Sequence, residues 1–452
     1  MKISTLFKDK AFFRDLFFLA LPIMAQNLIN ASVNTLDTVM IGRLGTVAIA
    51  GVGLGNQVFF LYTMILFGIC SGGTVFTAQY WGKRDIQGIR RTTGLCISLA
   101  AVAGIIFTLL CLFGSENILS FYSRDPQVIE VGAVYLRTLS PAFLPFAVSF
   151  AFMLILRSIE KVKLTLASTM VSLGINLTLN FILIFGLGPI PALGVAGAAI
   201  ATVVSRTVEL IILVSVSYAR SYELAGTPKE LFCFDASFLR RFFRIAFPVI
   251  VNELIWSLGV TMQNVIFART DTSAIAAFNI TNTVSMLTWV FFIGLGNGAS
   301  VLVGKKIGAG DEAGARDSAA RITLFAPLAS IAFALLLVPL SWTLRMFFRV
   351  DQEVLDLTSR MLFILALTYP CRAFNMTMII GVCRAGGDTV FSVVYDTLLM
   401  WTVSLPIAAA ASFVFSAPVW VVYLCIVLED PLKMILGIFR LRSGKWLHNV
   451  TV

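Results

Sequence analysis

Twelve long runs of mostly apolar residues decide what this chain can fold into: about 16–40, 47–77, 93–113, 128–156, 164–186, 192–217, 243–267, 274–303, 322–340, 354–382, 389–413 and 416–439. A bilayer core needs ~20 apolar residues per helical span, and each run is about that long or longer. Hydrophobic residues make up 58% of the 452 and charged ones 13%. A water-soluble domain has roughly 45–50% and about 25%, so a soluble globule is excluded. Twelve spans consume ~240 residues and leave connections averaging about 16, too short for a catalytic domain.

Lysine and arginine sort by side when the connections are numbered alternately. The amino terminus and segments 80–92, 157–163, 218–244, 304–321, 383–388 and 440–452 hold 24 of them; the other side holds Arg43, Arg124, Arg269, Arg345 and Arg349. Basic loops stay in the cytoplasm, so the expectation is a multi-pass protein of the bacterial inner membrane with both termini cytoplasmic. The net charge of +10 is then a matter of topology, and no nucleic-acid partner is expected. Lys2, Lys8, Lys10 and Arg14 precede an apolar run reaching past residue 35, too long for a cleavable signal, so the first run is expected to stay as the first helix.

The chain repeats itself. Ala20–Asp85 aligns without a gap on Ala246–Asp311, with 19 identities in 66 positions at an offset of 226. The matches include Pro22/Pro248, Arg43/Arg269, Asn56/Asn282, Gly68/Gly294, Gly72/Gly298, Gly82/Gly308 and Asp85/Asp311. Each half contains an even number of helices, so the halves enter the membrane in the same direction and are related by an axis along its normal. The expected fold is an all-α integral membrane protein, twelve transmembrane helices in two parallel-related six-helix lobes around a central cavity. Residues 1–217 form the N-lobe, 218–241 a cytoplasmic linker, and 242–452 the C-lobe with its cytoplasmic tail.

Enzyme signatures are missing. The single histidine, His448, lies in the tail, so neither a Ser-His triad nor an HExxH metal site can form. Gly51-Val-Gly-Leu-Gly55 sits inside an apolar run with no strand before it, and Gly298–Lys306 has the wrong spacing for a phosphate loop. Seven cysteines without a CxxC pair read as small buried hydrophobes. No enzyme activity and no cofactor are expected.

The chemistry is left to polar residues within the spans. Gln26, Asn30, Asn34 and Asp37 recur at 4, 4 and 3 and form one stripe of the first helix. Ser168, Ser172, Asn176 and Asn180 do the same on the fifth, and Glu253, Ser257, Thr261 and Asn264 on the seventh. Small polar side chains also pack helices together, which is the plainer reading of any single Ser or Asn. A carboxylate in hydrocarbon costs ~2.5–3.5 kcal/mol even on insertion scales. Asp37, with no basic residue at helical spacing, therefore reads as a proton or cation site, and as a metal ligand if Na⁺ is the coupling ion. Arg206/Glu209 and Glu429/Lys433, at i,i+3 and i,i+4, read as structural ion pairs.

Leu36-Asp-Thr-Val-Met-Ile-Gly-Arg-Leu-Gly45, the Ala-Leu-Pro at 20–22, Gly308-Ala-Gly-Asp311 and Arg384-Ala-Gly-Gly-Asp-Thr389, in that order and spacing, resemble the MATE family of multidrug and toxic compound exporters. The resemblance implies export of cationic or amphiphilic organic compounds by antiport with H⁺ or Na⁺. It implies a coupling role for Asp37, the acid of the first helix, together with bending of that helix. It further implies an N-lobe cavity bearing Gln26, Asn30, Asn34, Asn176 and Asn180, although some members carry Asp where this chain has Asn180. A C-lobe cavity would use Asn252, Glu253, Gln263, Asn282 and Asp396. One branch of the family places its seventh-helix Glu eight residues after the proline, where this chain has Trp256; Glu253 is rotated from that position.

The alternative is a lipid-linked oligosaccharide flippase of the same superfamily, which would want unpaired basic residues in its cavity for pyrophosphate. Arg206 and Lys433 have acidic neighbours instead. A major-facilitator transporter would read GxxxDRxGR after the second helix, and Gly82-Lys-Arg-Asp85 does not. The expected partners are small organic cations or amphiphiles, H⁺ or Na⁺, and the bilayer; a monomer is expected.

Overall fold

The computed structural model describes residues 9–347 and 350–451; Lys2, Lys8 and Arg349 of the charge comparison lie outside them. Eleven helices among the described residues are long and apolar enough to cross a membrane. They are α1 (Lys10–Gly42), α2 (Thr46–Lys83), α3 (Ile86–Ser120), α4 (Pro126–Ser158), α5 (Val162–Phe185), α6 (Gly194–Ala219), α7 (Ala236–Thr270), α8 (Thr272–Gly308), α9 (Glu312–Phe347), α10 (Gln352–Arg384) and α11 (Thr389–Phe413). A twelfth, α12, starts as Val419–Val427 and resumes after Leu428 as Glu429–Ser443. Glu429, Asp430 and Lys433 follow that break and are buried. Large apolar side chains such as Phe113, Leu335, Phe363 and Leu367 are 62–78% exposed. Helices satisfy their own backbone groups, so such a surface is stable only against hydrocarbon.

The chain forms two compact units. One is Ala25–Ala246; the other joins the described part of Met1–Met24 to the described part of Phe247–Val452. The division therefore crosses α1 just after Pro22 and α7 just before Pro248, rather than following the midpoint of the sequence. In the first unit a methyl placed on Gly72 would lie 2.6 Å from Ala246 Cβ; in the second, one on Gly298 would lie 3.2 Å from Ala20 Cβ. Gly72/Gly298 and Ala20/Ala246 are repeat pairs, so one packing solution occurs twice: the early part of α7 on α2, and the early part of α1 on α8. Small residues permit this approach, which dispersion rather than hydrophobic exclusion must stabilise inside a bilayer. Gly51 and Gly55 have the same task on α2. A methyl on Gly51 would come within 2.8 Å of the Gly132 nitrogen and one on Gly55 within 2.7 Å of the Tyr135 ring, so the glycine run is a crossing with α4.

Four connections on the lysine- and arginine-rich side share one geometry. Arg84, Glu160, Gly310 and Gly387 adopt φ of 64°, 66°, 78° and 73°. The amide of each following residue then donates to the carbonyl five positions back: Asp85 to Tyr80 and Asp311 to Lys306 at 2.9 Å, Lys161 to Leu156 at 2.8 Å, Asp388 to Cys383 at 2.9 Å. These bonds close one helix in a Schellman turn. Asp85 and Asp311 open the next helix by accepting from Gly88 and Gly314 nitrogens, both at 2.8 Å. The repeated aspartates, Asp85 and Asp311, are thus explained by helix ends. Replacing Gly310 with Ala should lower the stability of the purified protein by about 1 kcal/mol, because a Cβ is disfavoured at that φ. Arg84→Gly should be neutral or slightly stabilising, since it removes the same strain. An unchanged melting temperature for Gly310→Ala would contradict this account of the turn.

Candidate functional site

The unit Ala25–Ala246 encloses a cavity of about 460 Å³. Asn30, Asn34 and Asp37 line it from α1, and Asn176 and Asn180 from α5. Phe59, Phe146, Phe150 and Met153 supply an apolar wall. Asp37 is half-buried, and Asn180 Nδ2 donates to its Oδ1 at 2.7 Å. The same amide nitrogen reaches Asn176 Oδ1 at 3.2 Å. Asn180 Oδ1 is buried and has no hydrogen-bond partner among the described residues. The Asp37 carboxyl group thus stands beside a buried carbonyl oxygen, with no basic side chain in salt-bridge contact among those residues. Two such oxygen groups suit a proton or a single monovalent cation. No group of three or more metal-ligating side chains is found among the described residues.

Gln26 does not line the cavity; it lies behind the wall, 1% exposed. Arg157 Nη2, at the end of α4, donates to Gln26 Oε1 at 2.5 Å, and Gln26 Nε2 donates to Thr169 Oγ1 at 2.5 Å. Thr169 in turn donates to Glu209 Oε1 at 2.8 Å, while Arg206 Nη1 donates to Glu209 Oε2 at 2.9 Å. A continuous chain of bonds therefore joins α1, α4, α5 and α6, and its members Thr169, Arg206 and Glu209 reach the cavity wall. The pairing of Arg206 with Glu209 expected from the sequence is present, but it fronts the cavity. Ser172 Oγ donates across to the Ser205 carbonyl of α6 at 2.9 Å, whereas Ser168 Oγ donates to the Thr165 carbonyl of its own helix at 3.0 Å.

The other unit repeats the framework with different charges. Arg384 Nη2, at the end of α10, donates to Glu253 Oε1 of α7 at 2.6 Å. Asn252 Nδ2 donates to Asp396 Oδ2 at 3.1 Å, and Lys433 Nζ lies 3.4 Å from Asp396 Oδ1 and 3.2 Å from Glu429 Oε1. Asn252 and Asp396 are brought together, whereas Glu253 belongs to a separate pair. Asp396 lies in a π-helical stretch, Val394–Leu398, which re-aims side chains along α11. Asn375 Nδ2 holds Asp430 Oδ1 at 3.1 Å. Gln263, the repeat counterpart of Asp37, and Asn282, that of Asn56, are half-buried. Ser257, Thr261 and Asn264 donate to backbone carbonyls of their own helix at 2.9, 3.0 and 3.0 Å.

The sequence reading counted Arg157 and Arg384 in the basic connections and missed their burial. Arg157/Arg384 and Arg206/Lys433 are each 227 residues apart, one more than the gapless offset, so an alignment with one gap would have paired them.

A family model named MatE matches residues 22–182 and again 248–410, starting at Pro22 and Pro248. The chain belongs to the MATE family. Among its relatives, the "Probable multidrug resistance protein NorM" of Thermotoga maritima is 25% identical over 433 residues, 96% of this chain and 93% of that one. The "Uncharacterized transporter YisQ" of Bacillus subtilis is 24% identical over 440 residues, 97% and 96% of the two chains. A crystal structure described as MATE in the straight conformation superposes with a TM-score of 0.87 at 20% identity, covering 98% of this chain and 99% of that one. The all-helical membrane fold is therefore the MATE fold, and the protein is a transporter rather than an enzyme.

In this MATE chain the two buried arginines differ in what they hold. Removing Arg157 strands a neutral amide, worth about 1.5–3 kcal/mol; removing Arg384 strands a buried carboxylate, worth about 3–5 kcal/mol. Arg384→Met should accordingly lower the melting temperature more than Arg157→Met, and Glu253→Gln should restore part of the loss. Equal losses, or no rescue by Glu253→Gln, would show that the Arg384–Glu253 pair is not what stabilises this unit.

Proposed function

We propose that this protein is a multidrug exporter that moves cationic or amphiphilic organic compounds out of the cell in exchange for an inward-moving proton or Na⁺, with Asp37 as the residue for which they compete. One observation carries the reading. Of the two acids lining the cavity, Glu209 is held by Arg206 whereas Asp37 is held by the neutral amide of Asn180. A carboxylate with a built-in base has its charge answered already. Asp37 must have its charge answered by something that comes and goes: a proton, a metal cation or an organic cation. It cannot hold two of these with equal ease, and that mutual exclusion is the physical content of antiport. Relatives named as multidrug resistance proteins support the substrate class.

The distribution of lysine and arginine supports an orientation with both termini cytoplasmic. Asp37 then lies ~32 Å along α1 from Leu16, at 1.5 Å per residue, in the outer half of the membrane. Cysteines introduced at 83–91 or 305–321, in a background without the native seven, should react with an impermeant maleimide only after the cells are opened. Labelling in intact cells would reverse the orientation.

Asp37→Asn keeps the shape and the amide contact but removes the exchangeable charge. In proteoliposomes with H⁺ and Na⁺ gradients imposed separately, the variant should fold and insert normally. It should lose gradient-driven accumulation of tetraphenylphosphonium by at least about tenfold, the worth of one charge-assisted contact. Full gradient-driven transport by Asp37→Asn would remove Asp37 from the coupling step.

A further inference from the structure

The opening of α7 has two unlike faces. Phe238, Phe242 and Ala246, at i, i+4 and i+8, are buried. The Phe76 ring of α2 lies 6.1 Å from Phe238 and stacks on Phe242 at 5.8 Å, and Gly72 makes room for Ala246. On the far side Arg240, Phe243, Arg244 and Phe247 form one exposed stripe, since residues three and four apart share a helix face. Phe243 is 41% exposed and Phe247 61%. The apolar run of this span opens at Phe243, so Arg244 lies inside the run and Arg240 one turn outside it. At 1.5 Å per residue the two arginines are about 6 Å apart along the axis. The headgroup layer on one side of a bilayer is roughly 5–8 Å thick, so they span its depth.

The protein does not answer these two charges. Among the described residues neither guanidinium has a salt-bridge partner, and the acid nearest in sequence, Asp235, faces Arg91 at 3.8 Å and accepts from Ser237. Duplication supplies a contrast. At the offset of 226, Arg240, Arg241, Phe243, Arg244 and Phe247 match Arg14, Asp15, Phe17, Phe18 and Leu21 of α1. Arg14 Nε lies 3.2 Å from Asp15 Oδ1, and the deeper position is phenylalanine. The apolar part of the stripe is thus common to both helices, whereas arginine at both levels belongs to α7 alone.

We propose that the exposed stripe of α7 binds an anionic phospholipid, its phosphate held between Arg240 and Arg244 and an acyl chain laid along Phe243 and Phe247. Guanidinium and phosphate meet through two parallel hydrogen bonds, and the arginine stems cover apolar surface while their heads reach the phosphate. Two guanidiniums against one phosphodiester leave a positive charge over. A glycerol headgroup tolerates that charge; a choline headgroup, which brings its own cation, does not. The site lies on the rim of the protein, away from the cavity, and stands independently of the antiport reading.

The test uses the full-length protein in detergent, with phosphatidylglycerol or phosphatidylcholine of the same acyl chains added at equal concentration. Native mass spectrometry reads the first lipid bound. Phosphatidylglycerol should bind about thirtyfold more tightly, about fivefold for each arginine. Arg240→Gln/Arg244→Gln should remove that preference. Arg244→Phe, which copies α1 and suits the apolar run, should lower it about fivefold. Arg220→Gln/Lys229→Gln, which removes two exposed charges from the linker on the same side, should leave it intact. Inorganic phosphate, which lacks the chains, should not displace the bound lipid. Equal binding of the two lipids by the native protein, or a preference that survives in the Arg240/Arg244 double variant, would overturn the proposal. So would an equal loss in the linker control, which would make the preference a diffuse effect of net charge, or displacement by phosphate, which would make the site one for a free anion.

Discussion

Hydrocarbon cannot answer a charge, so each ionisable side chain inside a membrane protein has to be answered by the protein itself or by what the protein carries. Most of this structure follows from the first alternative. Glu209 has Arg206, Glu253 has Arg384, and Asp396 and Glu429 share Lys433. Breaking such pairs is costly because the surviving charge stays buried. Asp37 represents the second alternative: its structural partner is an amide, and it borders open space. On the function proposed here, what separates a structural acid from a transport acid is the kind of partner, since both kinds lie within the spans.

Duplication explains how two units of common ancestry came to differ. Both set an acceptor on the first helix of the half against an arginine at the end of the fourth, Gln26 with Arg157 and Glu253 with Arg384. Both put a base on the sixth helix next to an acid, Arg206 with Glu209 and Lys433 with Glu429. The framework is common and the charges are not. In the first unit the acceptor is neutral and the additional acid, Asp37, is left without a base. In the second, the position matching Asp37 is Gln263, and the additional acid, Asp396, is claimed by lysine. The first unit's polar residues Asn30, Asn34, Asp37, Asn176 and Asn180 line one cavity.

Much of this was readable from the amino-acid order. Spans, repeat and family follow from apolar length and from identities such as Pro22/Pro248, because lipid imposes a length rule and duplication preserves spacing. The stripe Asn30, Asn34, Asp37 and the pair Asn176, Asn180 do line one cavity, since residues at helical spacing share a face. Gln26 belongs to the same stripe yet lies behind the wall, because one more turn along α1 brings it against Arg157 and Thr169. Periodicity gives the face of a helix but not its neighbour. For the same reason Arg206–Glu209 was legible as a pair and not as part of the cavity, and the cross-helix contacts of Glu253 and Asp396 could not be read at all. Gly310 and Gly387 end one helix, and Asp85 and Asp311 begin the next.

If competition at Asp37 is the centre of the mechanism, it should be visible in binding alone, with no gradient and no transport. The most direct measurement is the affinity of purified protein in nanodiscs for tetraphenylphosphonium, titrated separately against pH and against Na⁺ at constant ionic strength. The account predicts that native affinity falls as the coupling cation rises, whether that is H⁺ or Na⁺, and that Asp37→Asn binds more weakly with an affinity that is flat in both titrations. An Asp37→Asn protein that keeps the native dependence on the coupling cation would contradict it.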